Sequence, residues 1–390
     1  MKPIIIVGSG MAGYTVAREV RKLDREIPIT IISADSGDFY SKPMLSNAFL
    51  LGKDAASLVN STAQQMAAQL NAGILSHATV EAIDTRAHTV TVALAGASQV
   101  LPYSSLVLAL GADQRRIRLG GNAADEVLTI NDLEDYGRFR AALDGCLRVA
   151  ILGAGLIGCE FANDLAAQFD VALVDPANWP LNRLLPEPQG LAMAAALEDI
   201  GVEMHLGKTP TSIDRRGKTY LVRMSGGETL EVDRVVAAIG LVPRTELAKT
   251  SGLAVARGIV TNAWLCTSAP DVYALGDCAE VDGLVLPYIM PIMQAARALA
   301  KTLTGESTRV VYPVMPVQVK TPALPAVVAS PLATTQGQWQ VAMAAADVEQ
   351  GGNGVWEYRN AENEMHGFAL IGEHVKQKNA LLTAMASKRS

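Results

Sequence analysis

Short unbroken apolar runs alternate along this chain with stretches whose apolar residues recur at helical spacing, and one such arrangement occurs twice. Ile4 to Val7 is wholly apolar, Gly8-Ser9-Gly10-Met11-Ala12-Gly13 follows, and Ala12, Val16, Val20 and Leu23 then fall on one helical stripe with Arg18, Arg21 and Lys22 off it. A short apolar run suits a buried strand and a 3.6-residue period suits a helix packed on it, so the pattern predicts strand, glycine turn and helix. A second apolar strand at Ile29 to Ile32 completes a βαβ unit. The same order returns in Val149 to Leu152, Gly153-Ala154-Gly155-Leu156-Ile157-Gly158, a stripe of Phe161, Leu165 and Phe169, and a strand from Val171 to Val174 that ends in Asp175. The two glycine turns begin 145 positions apart, at Gly8 and Gly153.

Each unit is followed by the same kinds of segment. Glu81 to Leu94 carries the alternation of a half-exposed antiparallel ribbon, and Leu106 to Gly111 is a buried strand closing on glycine. After the second unit, Tyr220 to Met224 and Thr229 to Val232 flank Ser225-Gly226-Gly227-Glu228 as a hairpin, and Val235 to Gly240 repeats the buried strand. From about Tyr312 the chain turns rich in proline (Pro313, Pro316, Pro322, Pro325, Pro331) and then polar around Gly351-Gly352-Asn353-Gly354, which marks a small separate C-terminal domain.

Composition narrows the function. Lys plus Arg number 33 against 39 Asp plus Glu, a net charge of -6 that lacks the basic excess a nucleic-acid binder sets against phosphates. With 49% hydrophobic but only 5% aromatic residues, the chain has the Ala, Val, Leu, Ile and Gly mix of buried parallel sheets covered by helices. The longest mostly apolar run, Leu284 to Ala296, holds Pro287, Pro291 and Gln294 and is too short to span a bilayer, so a cytoplasmic protein with no membrane span is expected. Cys146, Cys159, Cys266 and Cys278 are far apart and the five histidines show no ligand spacing, so neither disulfide nor metal chemistry is expected.

A lone G-x-G-x-x-G is a weak signal, whereas two with the correct strand and helix flanks are a strong one. The first glycine permits the tight turn, the second lets the backbone approach a pyrophosphate, the third lets helix pack on strand, and the helix N-terminus faces the phosphates. Gly8, Gly10 and Gly13 therefore form one dinucleotide cradle and Gly153, Gly155 and Gly158 another. Asp175 closes the second unit's second strand, where a carboxylate can take both ribose hydroxyls and repel a 2′-phosphate, so NADH is expected there in preference to NADPH. The corresponding place in the first unit is Ser33-Ala34-Asp35, with serine where an acid is usual. The organisation expected is α/β: a Rossmann-like domain over 1–110 and 244–314, a second inserted at 111–243, and a small α+β domain over 315–390.

A third motif is the apolar strand ending in Gly276-Asp277, within Asp271-Val272-Tyr273-Ala274-Leu275-Gly276-Asp277-Cys278. With both fingerprints it resembles the two-dinucleotide-domain flavoprotein reductases, in which such an Asp hydrogen-bonds the FAD ribityl chain. Within them the chain is most similar to NADH-dependent rubredoxin reductases, through Tyr40-Ser41-Lys42-Pro43-Met44-Leu45-Ser46, Leu156-Ile157-Gly158-Cys159-Glu160-Phe161-Ala162-Asn163-Asp164-Leu165, Gly276-Asp277-Cys278-Ala279-Glu280-Val281 and Met315-Pro316-Val317-Gln318-Val319-Lys320-Thr321-Pro322. The likeness implies FAD contacts from Ser9, Gly10, Met11 and Ala12, from Ser33 and Ala34, and from Lys42, Val80, Glu160, Asp277, Ile289 and Lys320.

What such a protein would do follows from the chemistry. A nicotinamide gives up two electrons together and an iron carrier accepts one at a time, so a flavin must mediate, with the protein holding the nicotinamide against it. Lys320 would put positive charge where negative charge accumulates on the reduced flavin, and Lys42 and Glu160 could pair at the ring's other edge. The cysteine pair of disulfide reductases and the oxidase branch's cysteine near Lys42 are both missing. The expected partner is rubredoxin, an acidic one-electron carrier, docked through a positive patch for which Arg115, Arg116 and Arg118 are candidates, and the pathway expected is alkane hydroxylation. A ferredoxin reductase of an oxygenase system, an oxygen-reducing oxidase and a non-catalytic NADH-binding flavoprotein sensor stay open at this point. Oligomeric state is not legible, and a monomer is compatible with the sequence.

Overall fold

A computed structural model describes residues 2–332, 334–344 and 354–386, so that glycines 351 and 352 and Asn353 of the polar stretch lie outside the described residues. The chain divides into two compact units, one of Met1–Lys42, Ala56–Asp113 and Leu241–Pro313, the other of Pro43–Ala55, Gln114–Gly240 and Val314–Ser390.

In the first unit five parallel strands run in the order Val272–Ala274, Ser105–Leu108, Ile4–Val7, Ile29–Ile32 and Gly73–Leu75. Ile4 to Val7 is buried along its length because helices cover a parallel sheet on its faces, the reason the run is apolar at every position rather than alternating. The helix Met11–Leu23 buries Ala12, Val16 and Val20 as its stripe predicts, but Leu23 is 53% exposed. Thirteen helical residues span ~20 Å and a four-residue strand ~13 Å, so the last turn overhangs the sheet. The predicted ribbon is a three-stranded antiparallel sheet of Ala78–Asp84, Thr89–Leu94 and Ala97–Pro102.

The second unit repeats this plan. Four parallel strands lie in the order Val202–Leu206, Asp170–Asp175, Arg148–Leu152 and Arg234–Ala237, and the predicted hairpin joins Pro210–Arg216 in a second antiparallel three-stranded sheet. The helix Leu156–Leu165 ends before Phe169, which stands outside the helix and meets the Phe49 ring edge-on at 5.3 Å. Both strands expected to run to a glycine stop earlier, at Leu108 and Ala237, because the central strands they pair with end opposite them at Val7 and Leu152, just before the glycine turns. From Val317 the chain forms an antiparallel sheet in the order Val317–Val319, Ala326–Ala329, Met365–Ile371, Gly354–Arg359 and Gln338–Ala344, with the helix Lys378–Ala386 on it. This is the small α+β part expected at the C-terminal end. No helix among the described residues is long and apolar enough to cross a membrane.

Candidate functional site

The two glycine turns have the same construction. A Cβ on Gly8 would lie 2.2 Å from the Ala109 carbonyl oxygen and one on Gly13 1.9 Å from that of Gly8; the matching distances at Gly153 and Gly158 are 2.6 Å to Ala238 and 1.8 Å to Gly153. These four glycines are required by the protein's own packing. The middle pair is not: a Cβ on Gly10 or Gly155 would have nothing within 4 Å, and both residues take ordinary φ, of -70° and -78°. Each caps the start of its helix without a side-chain hydrogen bond to the free amides. Open space over uncapped, positively polarised amides is what a pyrophosphate needs, so both turns fit a dinucleotide.

The ends of the second strands differ. Asp175 accepts the Ala154 amide (2.6 Å) and the Ala177 amide (2.7 Å), bracing the glycine turn against its own loop and leaving lone pairs on both oxygens. In the first unit Ser33 is buried, and its hydroxyl lies 2.5 Å from that of Ser9. Asp35 accepts hydrogen bonds from Ser33, from Ser9 (3.3 Å) and from the Gly37 amide (2.9 Å). Asp35 thus places a carboxylate two residues after Ser33 and against the glycine turn, while Ala34 is exposed beside it.

Asp277 is the middle residue of the short turn Gly276–Cys278; burial raises its carboxyl, and the Lys42 ammonium pulls it back down. Val80 is buried in the ribbon opposite Val92, Met11 opens the first fingerprint helix, and Ile289 begins the helix Ile289–Leu303 with 41% of its surface exposed.

In the second unit the structure joins Glu160 and Lys320. Glu160, on the second fingerprint helix, is 1% exposed; its Oε2 stands 3.0 Å from Lys320 Nζ and accepts the Ser46 hydroxyl at 2.5 Å, and its Oε1 accepts the Lys320 amide at 2.9 Å. Lys320 thus engages Glu160 through both its ammonium and its amide. The same ammonium donates to Pro43 O, to Ser46 Oγ (3.1 Å) and to Asn47 Oδ1 (2.7 Å), so Lys320 is a fixed positive charge. Sequence reasoning does not single out Ser46, Asn47 or Asp164, although Asp164 stands four residues after Glu160 and hence on the same helix face.

Burial pushes the Asp164 carboxyl up to about 6, against the Leu50 and Phe49 amides and the Lys320 and Arg140 cations that lower it. The folded protein therefore binds a proton that the unfolded chain releases near its ordinary value of 3.8. This group's contribution falls as pH rises from about 4 through 6 and is constant above. Asp164→Asn is expected to remove that slope, read as the difference in urea midpoint between variant and parent at pH 4.5 and pH 7.

All four cysteines are free. Burial is the first cause at each and raises every thiol, Cys278 to about 11, which keeps them protonated and unreactive at neutral pH.

Comparison with known proteins gives the class first. Residues 2–301 match the profile of the pyridine nucleotide-disulphide oxidoreductases, and the chain belongs to that family. Residues 309–385 match a rubredoxin binding C-terminal domain. The chain is 48% identical to the rubredoxin-NAD(+) reductase of Alcanivorax borkumensis over 98% of each chain, and 43% identical to that of Acinetobacter baylyi over 99% of this chain and 98% of the other. Among solved structures it is similar to a ferredoxin reductase for the CYP199A2 system from Rhodopseudomonas palustris, with TM-score 0.87, 26% identity, and coverage of 98% of this chain and 95% of that one.

Proposed function

We propose that this protein is an FAD-dependent reductase that takes electrons from NADH and delivers them singly to rubredoxin. The observation that carries the reading is the pair of middle glycines, Gly10 and Gly155, which the protein itself does not require and two bound dinucleotides do. The acceptor rests on the match of residues 309–385 and the two near-full-length relatives, which favour rubredoxin over ferredoxin. When bound, flavin supplies the conversion of paired electrons into single ones.

The domains in this reading are 1–110 with 244–314 for FAD, 111–243 for NADH and 315–390 for the carrier. The amides at Gly10 to Ala12 hold the FAD pyrophosphate, Asp35 with Ser33 its adenosine ribose, and Asp277 a ribityl hydroxyl. Lys320, fixed by its acceptors, offers positive charge to the negative charge that gathers on reduction. The amides after Gly155 hold the NADH pyrophosphate and Asp175 its ribose. Asp175→Ala is expected to raise the NADH KM about tenfold, the worth of ~1.4 kcal/mol, and to narrow the preference for NADH over NADPH. Steady-state kinetics with both cofactors check this.

Arg115, Arg116 and Arg118 are exposed on one irregular stretch and provide the positive patch for an acidic carrier. The rate of rubredoxin reduction should therefore fall severalfold between ~0.01 M and 0.15 M salt while flavin reduction by NADH does not change. A carrier rate insensitive to salt removes electrostatic docking. We place the protein in the cytoplasm, feeding alkane hydroxylation. Assaying rubredoxin and ferredoxin side by side for NADH-dependent reduction tests the choice of acceptor: ferredoxin reduced faster than rubredoxin overturns it.

A further inference from the structure

We infer that Asp164 is a positioning residue that holds the Lys320 ammonium in place through the segment Pro43 to Leu50, an assignment that rests on reading Lys320 as the charge serving the flavin. Asp164 is 2% exposed and accepts two consecutive backbone amides, Phe49 N on Oδ2 at 2.9 Å and Leu50 N on Oδ1 at 3.0 Å. Three acceptors of the Lys320 ammonium, Pro43 O, Ser46 Oγ and Asn47 Oδ1, lie in the few residues just before these amides. Asn47 Nδ2 also donates to Lys320 O at 3.0 Å, so the clamped segment grips this residue by side chain and backbone alike. The ammonium's ion-pair partner, Glu160, stands one turn before Asp164 on the same helix, and between them Asn163 accepts the Ala323 amide at 3.0 Å. One face of the helix Leu156–Leu165 therefore ties down both the ammonium and the segment that cradles it.

A carboxylate at this depth is costly, and a packing role alone would be met by an apolar side chain. Its distinctive property is acceptance on both oxygens, which two adjacent N–H groups need and an amide side chain cannot give. The charged and titratable groups around it are Lys320, Arg140 and Tyr136, the last two on the helix Leu133–Ala142 and both donating to Lys53 O at 2.9 Å. That second tie leaves the Phe49–Leu50 clamp as the anchor nearest the ammonium's acceptors.

The test is the flavin midpoint potential of the FAD-loaded protein, because placement and field predict opposite signs. Removing a negative charge would by itself favour the reduced flavin and raise the potential. Releasing Lys320 from its position lowers it. Asp164→Asn is expected to weaken the equilibrium for reduction about tenfold, a fall of about 30 mV for a two-electron couple. Lys320→Gln should lower it at least as far, and the double variant no further than Lys320→Gln alone. A potential unchanged or raised in Asp164→Asn, with Lys320→Gln lowered, overturns the role of Asp164 and leaves the Lys320 reading standing. No shift in Lys320→Gln overturns both. Should Asp164→Asn not hold FAD, Asn47→Ser removes an ammonium acceptor directly and must lower the potential likewise; an unchanged value there shows that the segment does not place Lys320, and the inference fails.

Discussion

Valine at Gly155 is expected to leave the unliganded protein folded and to weaken NADH binding by about five- to 150-fold, the equivalent of the ~1–3 kcal/mol that overfilling a packed site costs. Gly10→Val should do the same to FAD. Neither position needs glycine for φ, and neither Cβ would meet a protein atom within 4 Å, so the change falls on the ligand. The helix start loses a favoured cap residue, which costs ~1 kcal/mol at most. Gly13→Ala is the control: its Cβ would sit 1.9 Å from the Gly8 carbonyl oxygen, so that variant should lose thermal stability before it loses ligand. Thermal melts of the unliganded variants, with titrations of FAD and NADH, separate the two outcomes. NADH binding unchanged in Gly155→Val would mean that the second turn is a packing device only.

The second large effect is expected at Glu160. Glu160→Ala strips the Lys320 ammonium, the Lys320 amide and the Ser46 hydroxyl of one shared acceptor in a site where the carboxylate is 1% exposed. Breaking a buried pair by deleting one partner costs ~3–5 kcal/mol. Lys320 keeps Pro43, Ser46 and Asn47, so the lower part of that range is expected. Glu160→Gln retains an oxygen for the Lys320 amide and should lose less. The urea midpoint of the transition that includes the second unit measures both, and a Glu160→Ala midpoint equal to the parent's would show that the pair carries no net stability.

The parts of this molecule that are readable from residue order are those whose signal is local. Ile4 to Val7 and Val149 to Leu152 are apolar at every position because both faces of a parallel sheet are covered, and the glycine spacing after each is set by the turn itself. The hairpin at Ser225 to Glu228 is equally plain. The supporting shell is not. Ser46 meets Glu160 across 114 positions and Asn47 meets Lys320 across 273, and no period or spacing links residues so far apart. Nor does proline-rich spacing after Tyr312 show that Gln338–Ala344 lies at the sheet edge beside Gly354–Arg359. Asp35 falls between these cases: it is visible as a neighbour of Ser33, but its bond to Ser9, 26 residues earlier, depends on the strands pairing in register.

The most direct measurement is an anaerobic titration of the FAD-loaded protein with NADH, followed by oxidised rubredoxin, with both chromophores watched in the visible. NADH is expected to bleach the flavin band and rubredoxin to restore it. Two rubredoxins should be reduced for each NADH consumed, because one donor gives two electrons and each iron takes one. A flavin that NADH leaves unbleached, or one that bleaches and then passes nothing to rubredoxin, would contradict this electron path.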